Sequence, residues 1–174
     1  MIKSKSHSDG VKVRGFFRVQ LTEDGKGVIG DSGWRENQVT NLGIRDFIVT
    51  WLLSGSGGQY VTYMGLGTGS APASNATALD GENYHNSTNS ASQSRIAVSS
   101  SLVASGTAQF TAAFNSANSF VTATVPISNI GLFNASLTSL AHNGTLFAGN
   151  TYASSSCATN QSVNATYQIR FASA

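Results

Sequence analysis

The sequence is short of charged side chains. They make up 10% of its 174 residues, whereas soluble domains commonly carry about 25%. The net charge of +2 is too small to indicate a nucleic-acid or membrane partner. Serine, threonine, asparagine and glycine are frequent in place of charged residues, so hydroxyl and amide groups must cover much of the surface.

Cysteine is nearly absent too. Cys157 is the only one, which excludes an intrachain disulfide and any metal site built from several cysteines. It lies in a polar run, and we expect a small buried or half-buried side chain there. The N-terminus carries charge but no apolar run behind it, so we expect no signal peptide. No apolar stretch approaches the roughly 18 residues of a membrane-spanning helix.

The charges that are present lie mainly in the N-terminal part. No acidic residue follows Glu82, and no charged residue of either sign lies between Arg95 and Arg170. Acid–base catalysis, metal binding and phosphate binding all draw on such side chains. The sequence therefore predicts a protein that is not an enzyme and holds no cofactor or metal. A neutral half rich in serine, threonine and asparagine suits packing against another protein.

The length fits one domain with a substantial core. Residues 1–10 are polar and without period, which predicts a flexible N-terminal arm, and residues 11–174 are predicted to form a single domain. Val11 to Leu21 alternates apolar and polar residues, which indicates a strand with one buried face. The segment "EDGKG" then provides a turn, and "VIGDSGWRENQVT" is predicted to be the return strand.

One helix is expected, over about residues 42–53, with Asn41 as its N-cap. Its apolar residues recur at helical spacing and predict a stripe that docks on a sheet: Ile44, Phe47, Ile48, Trp51 and Leu52. Seven to nine short strands and many turns account for the remaining sequence. The predicted fold is therefore mainly β, an antiparallel β-sandwich of jelly-roll type with one amphipathic helix.

A glycine-rich stretch, "YMGLGTGSAPASNATAL", resembles the opening of a nucleotide-binding loop. The dinucleotide fingerprint needs glycine or alanine three positions after Gly67, but Ser70 stands there and no helical pattern follows. The phosphate-binding Walker pattern fails as well, because no Gly-Lys-Ser/Thr follows. We interpret Gly65, Gly67 and Gly69 as a strand end where glycine permits close approach of another backbone.

Several stretches together resemble small structural proteins of tailed bacteriophages. In that family a strand that ends in "GLGTG" is followed by a "TAPA" loop. In this sequence "GLGTG" is followed by the similar stretch "SAPASNATAL". The stretch "ISNIGLFNASLTSLAHNGTLFAG" is similar to the family's hairpin near the C-terminus, and "YQIRFAS" is similar to its final strand. The segment "ENQVTNLGIRDFIVTWL" also fits the family, and together these stretches span most of the chain.

The resemblance implies a virion protein of β-sandwich type: a capsid decoration (cement) protein, a minor tail protein or a fibre component. We expect a decoration protein, a homotrimer on the outer surface of the capsid that binds the major capsid protein. It would be made in the host cytoplasm. The alternative within this class is a tail or fibre component that binds a host glycan or another tail protein.

A second alternative is a carbohydrate-active or nucleotide-binding enzyme. Such an enzyme needs two carboxylates in one cleft. The available acidic residues show no spacing that predicts such a pair: Asp31, Glu36, Asp46, Asp80 and Glu82.

Two sets of residues are candidate contacts. The first set carries positive charge toward an acidic capsid surface: Lys3, Lys5, Lys12 and Arg14. The second set is apolar and is expected to mediate oligomerisation: Leu132, Phe133, Leu146 and Phe147. Neighbouring residues of a strand point to opposite faces, so one member of each pair should enter the core and the other should meet a neighbour.

The long polar segment Asp80–Ser94 is expected to be an exposed loop that is dispensable for assembly. The alternative for this loop is that Tyr84 stacks on a glycan.

Overall fold

The structure is a computed structural model that describes residues 10–54, 58–82, 95–118, 120–136 and 144–173. It is mainly β, as predicted, with one short helical segment. The described residues form ten strands: β1 Val11–Glu23, β2 Gly27–Asp31, β3 Arg35–Val39, β4 Tyr63–Gly67, β5 Arg95–Ala97, β6 Ser99–Ala104, β7 Thr107–Phe114, β8 Val125–Phe133, β9 Leu146–Cys157 and β10 Gln161–Ser173.

The strands form one antiparallel sheet that is nearly closed into a barrel. Strands β2, β1, β10, β7 and β6 lie side by side in that order, and we call them the β1 half. Strands β5, β4, β8 and β9 form the β8 half in the same way. Strand β3 joins the halves, because Arg35–Asn37 pairs with β1 whereas Gln38 and Val39 pair with β9.

The chain crosses between the halves a second time at Val98. This residue alone separates β5 from β6, although the two strands lie at opposite ends of the sheet order. The backbone N–H of Val98 donates to the carbonyl oxygen of Thr62 over 3.0 Å, which continues the β4–β5 ladder by one bond. The two ends of the sheet are thus joined by residues 95–104, which pair first with β4 and then, after Val98, with β7.

Strand β1 confirms the alternation predicted from the sequence. Gly15, Phe17, Val19 and Leu21 are buried, whereas the side chains between them are exposed or half-buried. Strand β10 pairs with β1 along its whole length and buries the matching set of alternate residues, which includes Tyr167. The main core lies between these inner faces and the inner faces of β4, β8 and β9.

The predicted return strand is present but interrupted. Strands β2 and β3 both pair with β1, and residues 32–34 separate them. Ser32 bridges the gap: its N–H donates to the Val19 carbonyl over 2.9 Å, and its hydroxyl accepts the Val19 N–H over 2.9 Å. The hydroxyl takes the place of a backbone carbonyl, so the ladder continues although Gly33 has a positive φ of 64° and Trp34 is exposed.

The helical segment differs from the prediction in two respects. It is α-helical at Asn41–Gly43, π-helical at Ile44–Val49 and α-helical again at Thr50–Ser54. Its N-cap is Thr40 rather than Asn41, because the Thr40 hydroxyl accepts the Gly43 N–H over 2.8 Å. The Asn41 N–H donates instead to the carbonyl oxygen of Ser74 over 2.7 Å.

The predicted apolar stripe is only partly buried. Phe47 contacts Phe147 with ring centroids 4.9 Å apart, whereas Leu52 is 82% exposed. A π-helix closes hydrogen bonds between residues five apart, so its turns are wider than those of an α-helix. The residues after the π-helical part are therefore rotated away from the face that the α-helical period predicts.

Residues 68–82 cover the outer face of the β8 half. Leu79, Phe133 and Leu146 form a second, smaller apolar cluster beneath them. Glycine at positions 131 and 149 leaves room for this cover, because a Cβ at Gly131 would lie 3.1 Å from Leu79 and one at Gly149 would lie 3.0 Å from Pro72. Residues 129–133 of β8 and 146–149 of β9 are consequently buried on both faces.

Candidate functional site

The outer face of β1 and β10 carries a cluster of positive charge, which we call the basic surface: Lys12, Arg14 and Arg170. All three residues are exposed. Arg14 and Arg170 are direct cross-strand partners in the β1–β10 ladder. Like charges directly opposite each other on a sheet are destabilising, so this pair needs compensation from other groups.

The compensation within the chain is incomplete. The Arg14 guanidinium lies 3.8 Å from the Glu36 carboxylate, and both side chains are about two-thirds exposed, at 65% and 66%. An ion pair this exposed contributes little, about 0–1 kcal/mol. Arg170 lies over the ring of Phe16 at 4.5 Å from its centroid and donates to the Gln168 amide oxygen over 2.8 Å. Within the described residues, no carboxylate is in ion-pair distance of Arg170 or Lys12.

The structure thus brings two of the four predicted basic contact residues together and adds a third. Lys12 and Arg14 lie on the basic surface, whereas Lys3 and Lys5 lie outside the described residues. Arg170 was not predicted as a contact residue. Its position in the alternating stretch "YQIRFAS" indicated an outward side chain, but only the β1–β10 register shows that it faces Arg14.

The four predicted oligomer residues are all buried within the chain. Alternation along the strands is as expected, because Leu132 and Phe147 enter the main core and Phe133 and Leu146 point to the other face. The expectation that an outward member is exposed is wrong, because residues 68–82 cover that face. Oligomerisation itself stays a prediction, and its surface must lie elsewhere.

The glycine-rich stretch is occupied by the chain's own groups. The N–H groups of Thr68 and Gly69 donate to the carbonyl oxygens of Gly81 and Asp80 over 2.8 and 3.0 Å. The N–H and hydroxyl of Ser70 both donate to the Asp80 carboxylate, over 3.0 and 2.7 Å. These bonds hold the pKa of Asp80 below its usual range. The donors that a phosphate would require in this loop are therefore already engaged.

A buried ion pair lies where residues 68–82 end. The Arg95 guanidinium donates to both carboxylate oxygens of Glu82, over 2.6 and 3.0 Å, and to the Ala135 carbonyl over 3.0 Å. It also lies 3.5 Å above the centroid of the Phe133 ring, and both charged side chains are fully buried. The pair holds Glu82 against Arg95, so Glu82 is buried although the sequence predicted an exposed loop from Asp80 onward. Residues 83–94, including Tyr84, lie outside the described residues, so the loop predictions stay untested.

The acidic residues considered for an enzyme are each held by separate donors. The Asp31 carboxylate is bound by Arg18, Gln20 and the Gly33 N–H, and the Arg18 bond is the main reason why its pKa is lowered. The others bind as follows: Asp46 to Arg45, Asp80 to Ser70, Glu82 to Arg95 and Glu36 weakly to Arg14. The described residues contain no group of three or more potential metal ligands.

Cys157 lies at the wall of a small crevice between β2 and β9. The crevice has room for about one water molecule and is lined in part by Tyr152, Ser155 and Gly30. Burial raises the pKa of the Cys157 thiol to about 11, which keeps it protonated at neutral pH. A protonated thiol is a poor nucleophile, so this site offers the buried small side chain expected from the sequence.

Comparison of the chain with models of protein families, with curated proteins and with solved structures finds no match. Across the described ranges, no helix is long and apolar enough to cross a membrane.

Proposed function

We propose that this chain is a virion structural protein, a capsid decoration protein that binds the assembled shell of a tailed bacteriophage and stabilises it. The observation that carries the proposal is the basic surface. Arg14 and Arg170 face each other with little compensation inside the chain, so an acidic partner would relieve their repulsion as well as bind. The resemblance of several sequence stretches to phage structural proteins supports the same class.

The partner in this proposal is an acidic area of the major capsid protein on the outer surface of the virion. A protein that binds the assembled lattice and not loose subunits stabilises the lattice by mass action. Each contact is modest, but the symmetry of the shell repeats it many times. Synthesis in the host cytoplasm and assembly as a homotrimer belong to the proposal, as does the finer description of the fold as a β-sandwich of jelly-roll type.

The test uses particles of a phage that encodes this chain, assembled without it. We expect such particles to form but to rupture at a lower temperature than complete ones, and added wild-type protein should restore the rupture temperature. The double variant Arg14→Ala/Arg170→Ala should bind these particles at least ten-fold more weakly at low salt, with a smaller difference at high salt because salt screens exposed charges.

The matched control is Lys26→Ala/Arg35→Ala, which removes the same charge from exposed positions away from the basic surface. It should bind as the wild type does. Two results would overturn the proposal: equal loss of binding by both double variants, or deficient particles that are as robust as complete ones. If the deficient particles are robust but do not adsorb to cells, the chain is a tail or fibre component instead.

A further inference from the structure

In the part of the chain that the structure describes, the β1 half has an open strand edge on each side. Within the described residues, β6 pairs only with β7, and β2 pairs only with β1. An open edge presents N–H and C=O groups that can pair with another chain, so proteins commonly protect their edges with charge, proline, short strands or bulges.

The β6 edge has little of this protection. Ser99–Ala104 contains neither a charged residue nor proline, and all six residues are exposed, with Leu102 at 78%. A bulge between Leu102 and Ala104 is its one protective feature and shortens the straight part of the edge. A partner strand could therefore pair with this edge without burying an unpaired charge.

The β2 edge resembles it. Val28 is 55% exposed and Ile29 is exposed beside it. The one charge in the strand, Asp31, already binds Arg18 inside the chain. The ladder to β1 shifts register between Leu21 and Thr22, so the straight part of this edge is short as well. Both edges thus combine branched apolar side chains with a backbone edge that no other described strand pairs with.

The two edges suit a head-to-tail contact better than a symmetric one. Pairing of β6 with β6 of a second copy would leave both β2 edges open. Pairing of β6 with β2 of the next copy uses two different surfaces, and such heterologous contacts close into a ring when the rotation fits. A ring leaves no edge of the β1 half exposed, and it leaves the basic surface free on the outer face of the sheet.

We infer that β6 of one copy pairs with β2 of a second copy, and that three such contacts close the trimer. The inference rests on the trimer of the proposed function and names the surface that forms it. Each contact is short and binds weakly by itself, and closure of the ring adds to the stability of the three strand pairs. The test measures self-association in the absence of capsids. A negative result would therefore contradict the strand pairing but not the binding of the basic surface to the capsid.

The test measures mass by light scattering during gel filtration, over a range of protein concentration. We expect a three-chain mass for the wild type and a one-chain mass for Leu102→Lys and for Val28→Lys, because lysine protects an edge. The control Asn164→Lys adds the same charge to an exposed position of β10, which has a strand on each side, and should keep the three-chain mass.

A mixture of the two edge variants separates the two arrangements. Leu102→Lys retains its β2 edge and Val28→Lys retains its β6 edge, so together they should form a two-chain species at the highest concentrations. Circular dichroism checks the fold of each variant, and Ser100→Lys and Ile29→Lys replace any variant that does not fold. The inference is overturned by a monomeric wild type, by edge variants that stay trimeric, or by a mixture that stays monomeric.

Discussion

The two halves of the sheet cover their faces differently. In the β1 half the inner face enters the core and the outer face carries charged and polar side chains, as on β1 and β10. In the β8 half the strand β8 is buried without interruption from Asn129 to Phe133, because the core covers one face and residues 68–82 cover the other. The outer face of the sheet is thus exposed to solvent in the β1 half and covered by residues 68–82 in the β8 half.

This difference explains much of the missing charge. The neutral composition of residues 129–133 in β8 and 146–149 in β9 follows from burial on both faces by the chain itself, since unpaired buried charges are costly. It therefore gives no separate support for a partner at these strands. The uncharged residues of β6 are all exposed and remain available to another chain.

The largest expected effect comes from breaking the buried ion pair of the β8 half. Arg95→Met leaves the Glu82 carboxylate buried without its main partner, and we expect a loss of about 3–5 kcal/mol in the free energy of unfolding. The matched change in the β1 half is Arg18→Met, which breaks the partly exposed pair with Asp31. That variant should lose much less, because solvent screens this exposed pair.

Chemical denaturation of both variants measures the difference. The double variant Glu82→Gln/Arg95→Met should be more stable than Arg95→Met, because it removes the orphaned charge. If Arg95→Met proves no less stable than Arg18→Met, the Glu82–Arg95 pair is not enclosed in the way that the structure indicates.

A smaller effect is expected from adding one methyl group to each half. A Cβ at Gly67 would clash with the Asn129 side chain and lie 2.9 Å from the Gly81 carbonyl oxygen, so Gly67→Ala should cost about 1–3 kcal/mol. A Cβ at Gly30 would meet only Leu21, at the ordinary contact distance of 3.5 Å. Gly30→Ala should therefore be neutral or stabilise by up to about 1 kcal/mol.

Thermal unfolding of the two glycine variants compares them directly. Equal melting temperatures would contradict the close contact between β4 and residues 80–82, since that contact is what distinguishes Gly67 from Gly30.

The smallest effect concerns acid. The bond from Arg18 lowers the pKa of Asp31 in the folded protein, so the pair stabilises the fold above the unfolded pKa of about 3.9 and this contribution is lost as the pH falls. Asp31→Asn should lower stability at pH 7 by about 1 kcal/mol or less and should flatten its decline between about pH 5 and 2. In the Arg18→Met background the same change should alter the pH profile little, and an equal change in both backgrounds would contradict the assignment.

The sequence predicted the β1 half better than the β8 half for a physical reason. Strand β1 has one face in water, so its alternation from Val11 to Leu21 is visible as a pattern and was confirmed. Leu132 and Phe133 lie in a strand buried on both faces, where both residues are apolar and the pattern does not say what covers each one. The prediction that one member of the pair enters the core holds for Leu132, but the prediction that the other is free to meet a neighbour is wrong for Phe133.

The helical segment and the ion pair show two further limits. The position of the segment was predicted correctly. The i→i+5 hydrogen bonds that rotate Leu52 outward, however, cannot be recognised from the spacing of apolar residues in the sequence. Glu82 and Arg95 are 13 positions apart, and only the sheet register between β4, β5 and β8 brings them together beside Phe133. For the basic surface, Lys12 and Arg14 were predicted from charge, whereas Arg170 required knowledge of the β1–β10 pairing.

The β1–β10 ladder also bears on how the chain folds. It pairs residues 11–23 with residues 161–173, so the longest strand pair of the molecule is also among its most distant in sequence. Contacts this distant make folding slow, because a large loop must close before they form. During synthesis, the apolar side chains of Phe17, Val19 and Leu21 have no β10 beside them until residues 163–167 have left the ribosome. Until then the apolar face of this strand lacks its partner and is prone to aggregation.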